Sequence, residues 1–150
     1  MDSDMQNNEK TAQDDSKIFL KKVAINNLIS LAISCVVIAF VFATVVMIEA
    51  VTGYGMGSEI FLMPIALGAH VYLGYKFLVP THKHLWMSVL ALPMIALLIS
   101  ILLHIQTSLP FGEFFVAFIV ALVLSLFMYI GLEVKVRNGD RASEENGERR

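Results

Sequence analysis

One imidazole stands inside an apolar run. The segment PIALGAHVYLGYKF, residues 64–77, reads as part of a membrane-spanning helix, with His70 near its centre. Ionisable side chains inside a membrane often carry protons or touch a substrate. A proton relay needs a second titratable group within reach. No Asp, Glu, Lys or Arg lies at the depth of His70 on any apolar run of this chain. The residue pattern therefore favours a neutral ring that donates through one nitrogen and accepts through the other.

Ala66, His70 and Gly74 follow one another at i, i+4 and i+8, so they share one helix face. Small residues above and below the ring let a neighbouring helix come close. Counted from the ends of their runs, Ser34, His70, Pro93 and Ser125 fall at comparable depth. At helical rise that depth is roughly 13 Å for His70. Proline has no N–H, so Pro93 within a helix is expected to leave the Val89 carbonyl unpaired. That carbonyl and the Ser125 hydroxyl are the expected partners of the ring. The sequence thus predicts an intramembrane polar layer of His70, Ser125 and Ser34, with Ala66, Gly74 and Pro93 shaping the helix contacts around it.

A second group is acidic. Glu49, Glu59 and Glu113 sit at ends of apolar runs, joined by His104, with no basic residue among them. Gathered at one mouth of a bundle, they would concentrate cations or hold a divalent ion. The helix dipole also favours carboxylates at helix starts, which suits Glu59 and Glu113. No tight metal-ligand spacing is present, so neither a metal site nor a cofactor is expected. Between Glu49 and Glu59, TGYG at residues 52–55 departs from the potassium-filter sequence TVGYG and has no pore helix before it. Gly53, Gly55 and Gly57 predict a flexible turn there. His82 and His84 flank Lys83 in THKH, expected to be a cationic loop against anionic headgroups.

No catalytic set accompanies these residues. There is no H-E-x-x-H metal motif, no G-x-S-x-G elbow and no phosphate-binding glycine loop. The expectation is a protein that is not an enzyme.

The elements that must position these side chains follow from composition. Of 150 residues, 57% are hydrophobic and 16% charged, with mean hydropathy +0.70. The charges are segregated, leaving uncharged runs at 28–48, 85–103 and 114–132. A fourth run, 60–79, carries only Lys76 near one end, where its stem can snorkel. Each run is about 20 residues, enough to cross a hydrocarbon core. Backbone groups must be satisfied within lipid, so the runs are expected to be helices. The fold class is all-α: a polytopic antiparallel four-helix transmembrane bundle, with spans at about 28–50, 60–79, 85–105 and 113–133 within a domain at 17–136.

The polar stretches 1–16 and 137–150 are expected to be disordered tails, leaving no room for a separate soluble domain. The first run follows a polar tail and lacks a small-residue cleavage site, unlike a signal peptide. Asn26 and Asn27 interrupt the apolar stretch before Cys35, which argues against lipidation there; Cys35 is expected to be a small packing residue.

Orientation comes from the cations. All eleven Lys and Arg residues fall before the 28–48 run, from the end of the 60–79 run to the start of the 85–103 run, or after the 114–132 run. The positive-inside rule then expects both termini in the cytoplasm and the acidic mouth outside. A compact chain of this kind is expected in a plasma membrane, with a bacterial one first in mind. Its partners are expected to be the lipid bilayer and either another membrane protein or further copies of itself; net charge −2 offers nothing to nucleic acid. Two functions follow: an accessory or membrane-protective protein acting through helix–helix contacts, or a small homo-oligomeric transporter or channel with His70 inside and the acidic mouth as cation access.

Overall fold

The computed structural model describes the backbone of residues 2–53, 58–107 and 111–148, and their side chains except at 2–10, 58–59, 107, 111, 113–114 and 148. Four α-helices account for nearly all of it: α1 (Asp2–Thr52), α2 (Ser58–Phe77), α3 (Ala91–Thr107) and α4 (Phe111–Glu148), with a 3-10 helix at Leu85–Val89. Three of them are long and apolar enough to cross a membrane, over Thr11–Thr52, Ile60–Phe77 and Phe115–Gly147. Large apolar side chains cover their outer surfaces, including Phe40, Phe42, Phe61 and Ile130. A water-soluble fold would bury such rings, whereas lipid solvates them.

α3 is apolar but has only 17 residues, about 25 Å of helix. The third run, expected as one helix over 85–105, is divided. Leu85–Val89 forms the 3-10 piece, and α3 restarts at Ala91. Pro93 explains the division. In a continuous helix it would lack the bond to the Val89 carbonyl and clash with it. Restarting at Ala91 puts Pro93 in the first turn, where an N–H has no intrahelical partner in any case.

α1 and α4 are longer than their apolar runs, because helix extends into both polar end segments. Of the stretches expected to be disordered tails, 1–16 and 137–150, helix covers the part from Asp2 and the part up to Glu148. Once a spanning helix has nucleated, each further residue adds a bond at little entropic cost. Gln, Lys, Asp and Glu tolerate that extension, and Arg137 braces it through Glu133 at 2.8 Å, one turn away. At its other end α1 stops at Gly53. This glycine has φ +67° and donates its N–H to the Glu49 carbonyl at 2.9 Å, a left-handed helix stop that a Cβ would strain.

α1 and α2 meet in reversed order, and α2 and α4 in the same order. From Asn26 toward Val41 on α1, the neighbours move from Val79, just past the end of α2, back to Leu62 within it. From Met128 to Lys135 on α4, the neighbours advance from Gly74 of α2 to Leu78 just beyond it. The main core joins Ile33 and Val37 of α1, Ala66 of α2, Leu78, Val89, and Met128 and Leu132 of α4. A smaller one joins Leu92 with Ala121 and Leu124. Both cores lie toward the 78–90 connection. Beyond them the faces open: residues 101–106 of α3 are all exposed, and of 38–52 on α1 only Val45 is buried.

Candidate functional site: a polar layer pinned by two asparagines

The connection between α2 and α3 is held by α1. Asn26, fully buried, donates Nδ2–H to the Val79 carbonyl at 2.9 Å and accepts the Val79 N–H on Oδ1 at 2.7 Å. The next residue grips the other end. Asn27 donates to the Met87 carbonyl at 2.7 Å, and its Oδ1 accepts the Ala91 N–H at 2.8 Å. Ala91 opens α3, so Asn27 satisfies one of the free donors at that helix start from a different helix. On the far side, Lys135 of α4 donates to the Leu78 carbonyl at 2.7 Å, beyond the end of α2. A cation at a helix C-terminus is favoured by the dipole as well as by the bond.

The Asn26–Asn27 pair and Lys135 were not singled out as site residues from the sequence. The legible signal was two adjacent amides at the start of an apolar run. Such groups need partners when desolvated.

One turn deeper, α2 meets α4 almost backbone to backbone. A Cβ built on Gly131 would stand 2.5 Å from the Val71 carbonyl oxygen and 2.8 Å from the Tyr75 nitrogen. One on Gly74 would meet Met128 Sδ at 3.2 Å and its carbonyl oxygen at 3.3 Å. Glycine at 131 is therefore a steric requirement of this crossing, of the small-residue kind that lets helices approach. Gly74 was readable as a packing position, whereas Gly131 was not.

His70 sits above this crossing, fully buried, with Ala66 and Gly74 buried on the same face. Its Nδ1 lies 2.7 Å from the Ala66 carbonyl oxygen. A carbonyl only accepts, so Nδ1 carries the proton and Nε2 presents a lone pair. The ring thus bonds its own helix. The Val89 carbonyl and Ser125 hydroxyl expected as its partners make no hydrogen bond with it. Pro93, buried in the first turn of α3, frees no carbonyl in mid-helix.

Among the described residues, five buried side-chain polar atoms lack a hydrogen-bond partner: His70 Nε2 and the hydroxyls of Ser30, Ser34, Ser88 and Ser125. Ser30 and Ser34 lie one and two turns beyond Asn26 on α1, on the stripe that continues through Ile33 and Val37. Elsewhere helical hydroxyls bond their own i−4 carbonyls, as Thr44 does to Phe40 at 2.8 Å and Ser100 to Ala96 at 2.6 Å. The serines on α1 and α4 have the same recourse by rotation about χ1. The lone pair of His70 has none on its own helix. Cys35 is exposed on the helix surface, one residue and so about 100° round from Ser34; it does not pack inside as expected.

Of the acidic group, only Glu49 and His104 have side chains among the described residues. Glu49 is half-buried at the end of α1 and His104 is exposed on α3. Glu59 and Glu113 lie on α2 and α4, with side chains outside the described set. Among the described residues, no three His, Cys, Asp or Glu side chains gather around a point that could hold a metal ion. His82 instead approaches Asp140 of α4, at 3.6 Å. Of the TGYG stretch, residues 54–57 are outside the described residues. Comparison with protein-family models, with curated proteins and with solved structures finds no match to this chain.

Proposed function

We propose that this chain is a small polytopic protein of a plasma membrane that works without catalysis, through contacts of its spanning helices with a partner membrane protein. In this reading the helices form an antiparallel four-helix bundle. Both termini and the 78–90 connection lie on the cytoplasmic side, consistent with the cations clustered at that end.

The observation that carries the reading is the uneven packing. The helices are pinned by Asn26, Asn27 and Lys135 at one end. Toward the other they expose apolar side chains on several sides, with Val51 84% and Phe61 80% accessible. Spanning helices associate through van der Waals contact between such faces. The test is the mass and composition of the complex extracted at native expression in a mild detergent. A stoichiometric larger partner is the expected result, and a homogeneous assembly of this chain alone would overturn it.

One observation favours a second reading, a homo-oligomeric transporter or channel: among the described residues, His70 Nε2 and four serine hydroxyls are buried without a hydrogen-bond partner. In that case proton or cation flux into proteoliposomes would be lost in His70→Ala with the fold retained. Under the accessory reading, wild type and variant carry no flux above empty vesicles.

A further inference from the structure

A cavity of about 590 Å³ opens where the polar extension of α1 passes the 78–90 connection. From α1 it is lined by Asp15, Phe19 and Lys22, and from the connection by His82, Lys83 and His84. Two lysines thus face one space against one aspartate, and His82 already has Asp140 beside it. The arrangement is held rather than incidental. His84 adopts a left-handed backbone, φ 48° and ψ 52°, unusual for a residue with a Cβ. Its ring meets that of Phe19 edge-on at 6.2 Å between centroids. The adjacent Asn26–Val79 and Asn27–Met87 bonds fix the connection against the same helix. Lys22 and Lys83 both border this cavity and are exposed, so both ammonium groups are open to an anion that enters it.

Position narrows the choice of anion. Lys22 is one turn before Asn26, where the packed apolar section ends, and Trp86 is exposed beside the connection. Indole rings and lysines with long stems are the side chains that settle at headgroup level. The cavity falls within the usual size range for a small-molecule pocket. It combines apolar walls at Ile18 and Phe19 with cations at Lys22 and Lys83. We infer that this cavity binds a phosphate group, of the kind carried by an anionic phospholipid headgroup. Lys22 and Lys83 neutralise it, the His82 and His84 rings donate to its oxygens, and Phe19 and Ile18 meet the glycerol side. The inference is independent of whether the protein is an accessory subunit or a transporter.

The experiment is calorimetric titration of the full chain in neutral detergent with dihexanoyl phosphatidylglycerol, dihexanoyl phosphatidylcholine and sodium phosphate. Phosphatidylglycerol is expected to bind and the zwitterionic lipid to bind markedly less. K22Q/K83Q is expected to weaken phosphatidylglycerol by about tenfold or more, at the usual contribution of a cation near a charged surface. The control K17Q/K21Q removes the same charge from exposed positions that do not line the cavity, and it is expected to bind as wild type. Sodium phosphate bound with the same dependence on Lys22 and Lys83 would assign the phosphate site to a soluble ligand; no response to phosphate assigns it to the lipid. Equal binding of the two lipids, full affinity in K22Q/K83Q, or equal loss in K17Q/K21Q would overturn the site.

Discussion

Asn26 and Val79, 53 residues apart, form a closed pair in which one side-chain amide satisfies both the N–H and the C=O of one backbone unit. The amide does for the end of α2 what a neighbouring strand does in a sheet. It lets the chain leave its helix inside a packed region without orphaned backbone groups. Asn26→Ala should therefore destabilise by about 2–3 kcal/mol, two lost bonds together with unsatisfied groups in a poorly hydrated place. Asn26→Asp keeps the acceptor but sets a buried carboxylate oxygen against the Val79 carbonyl, so it should destabilise at least as much. Reversible unfolding in mixed micelles measures this directly, and an unchanged midpoint for Asn26→Ala would remove the clamp from the account.

Gly131 and Gly68 make a matched contrast. A Cβ at 131 would meet backbone of α2 at 2.5 Å, whereas at Gly68 nothing lies within 4 Å. Gly131→Ala should cost about 1–3 kcal/mol as an overpacked contact. Gly68→Ala should be neutral or stabilising, because alanine is the better helix former. Equal effects of the two in the same unfolding assay would show that the α2–α4 crossing is not this tight.

Lys135 supports the end of α2 through the Leu78 carbonyl. Lys135→Met preserves the length of the stem and removes the donor. A loss of about 1 kcal/mol is expected from the bond and the dipole together. Hydrogen exchange should also quicken at residues 76–79, with amides in the middle of α4 unaffected. Protection unchanged at 76–79 would count against the cap.

The hydroxyls of Ser30 and Ser34 report on whether water enters the packed face of α1. Both are buried and without partners. In a dry layer, Ser30→Ala and Ser34→Ala remove polar atoms that gain nothing from the fold, so stability should hold or rise by up to about 1 kcal/mol. Destabilisation of both variants by more than that amount would mean that ordered water bridges them, and would strengthen the transport reading.

Much of the fold was legible in the charge distribution. Uncharged runs of spanning length force helix, because lipid offers the backbone no other partner. All four runs are helical, and three helices have the length and apolarity to cross a membrane. The third run was misread as continuous because Pro93 was weighed as a defect within a helix, when the lower-energy solution is a helix that begins just before it. Helix continues into the polar ends because low hydrophobicity limits tertiary packing but does not forbid the extension of a helix already formed. For the layer, the spacing of Ala66, His70 and Gly74 was enough to put them on one face.

What the sequence determined by itself, then, is what can be read without knowing neighbours: helix in every apolar run, a membrane as the surrounding solvent, and one face shared by residues four apart. The tertiary structure alone decided which long-range atoms meet. Nothing in the chain's order says that Asn26 reaches Val79, that Lys135 reaches Leu78, or that Gly131 lies against Val71 and Tyr75. The reason is physical. Periodicity and hydropathy act over one or two turns, whereas the crossing of two helices depends on the shapes of both faces at once, so a single glycine or amide acquires its role only when the opposite helix arrives.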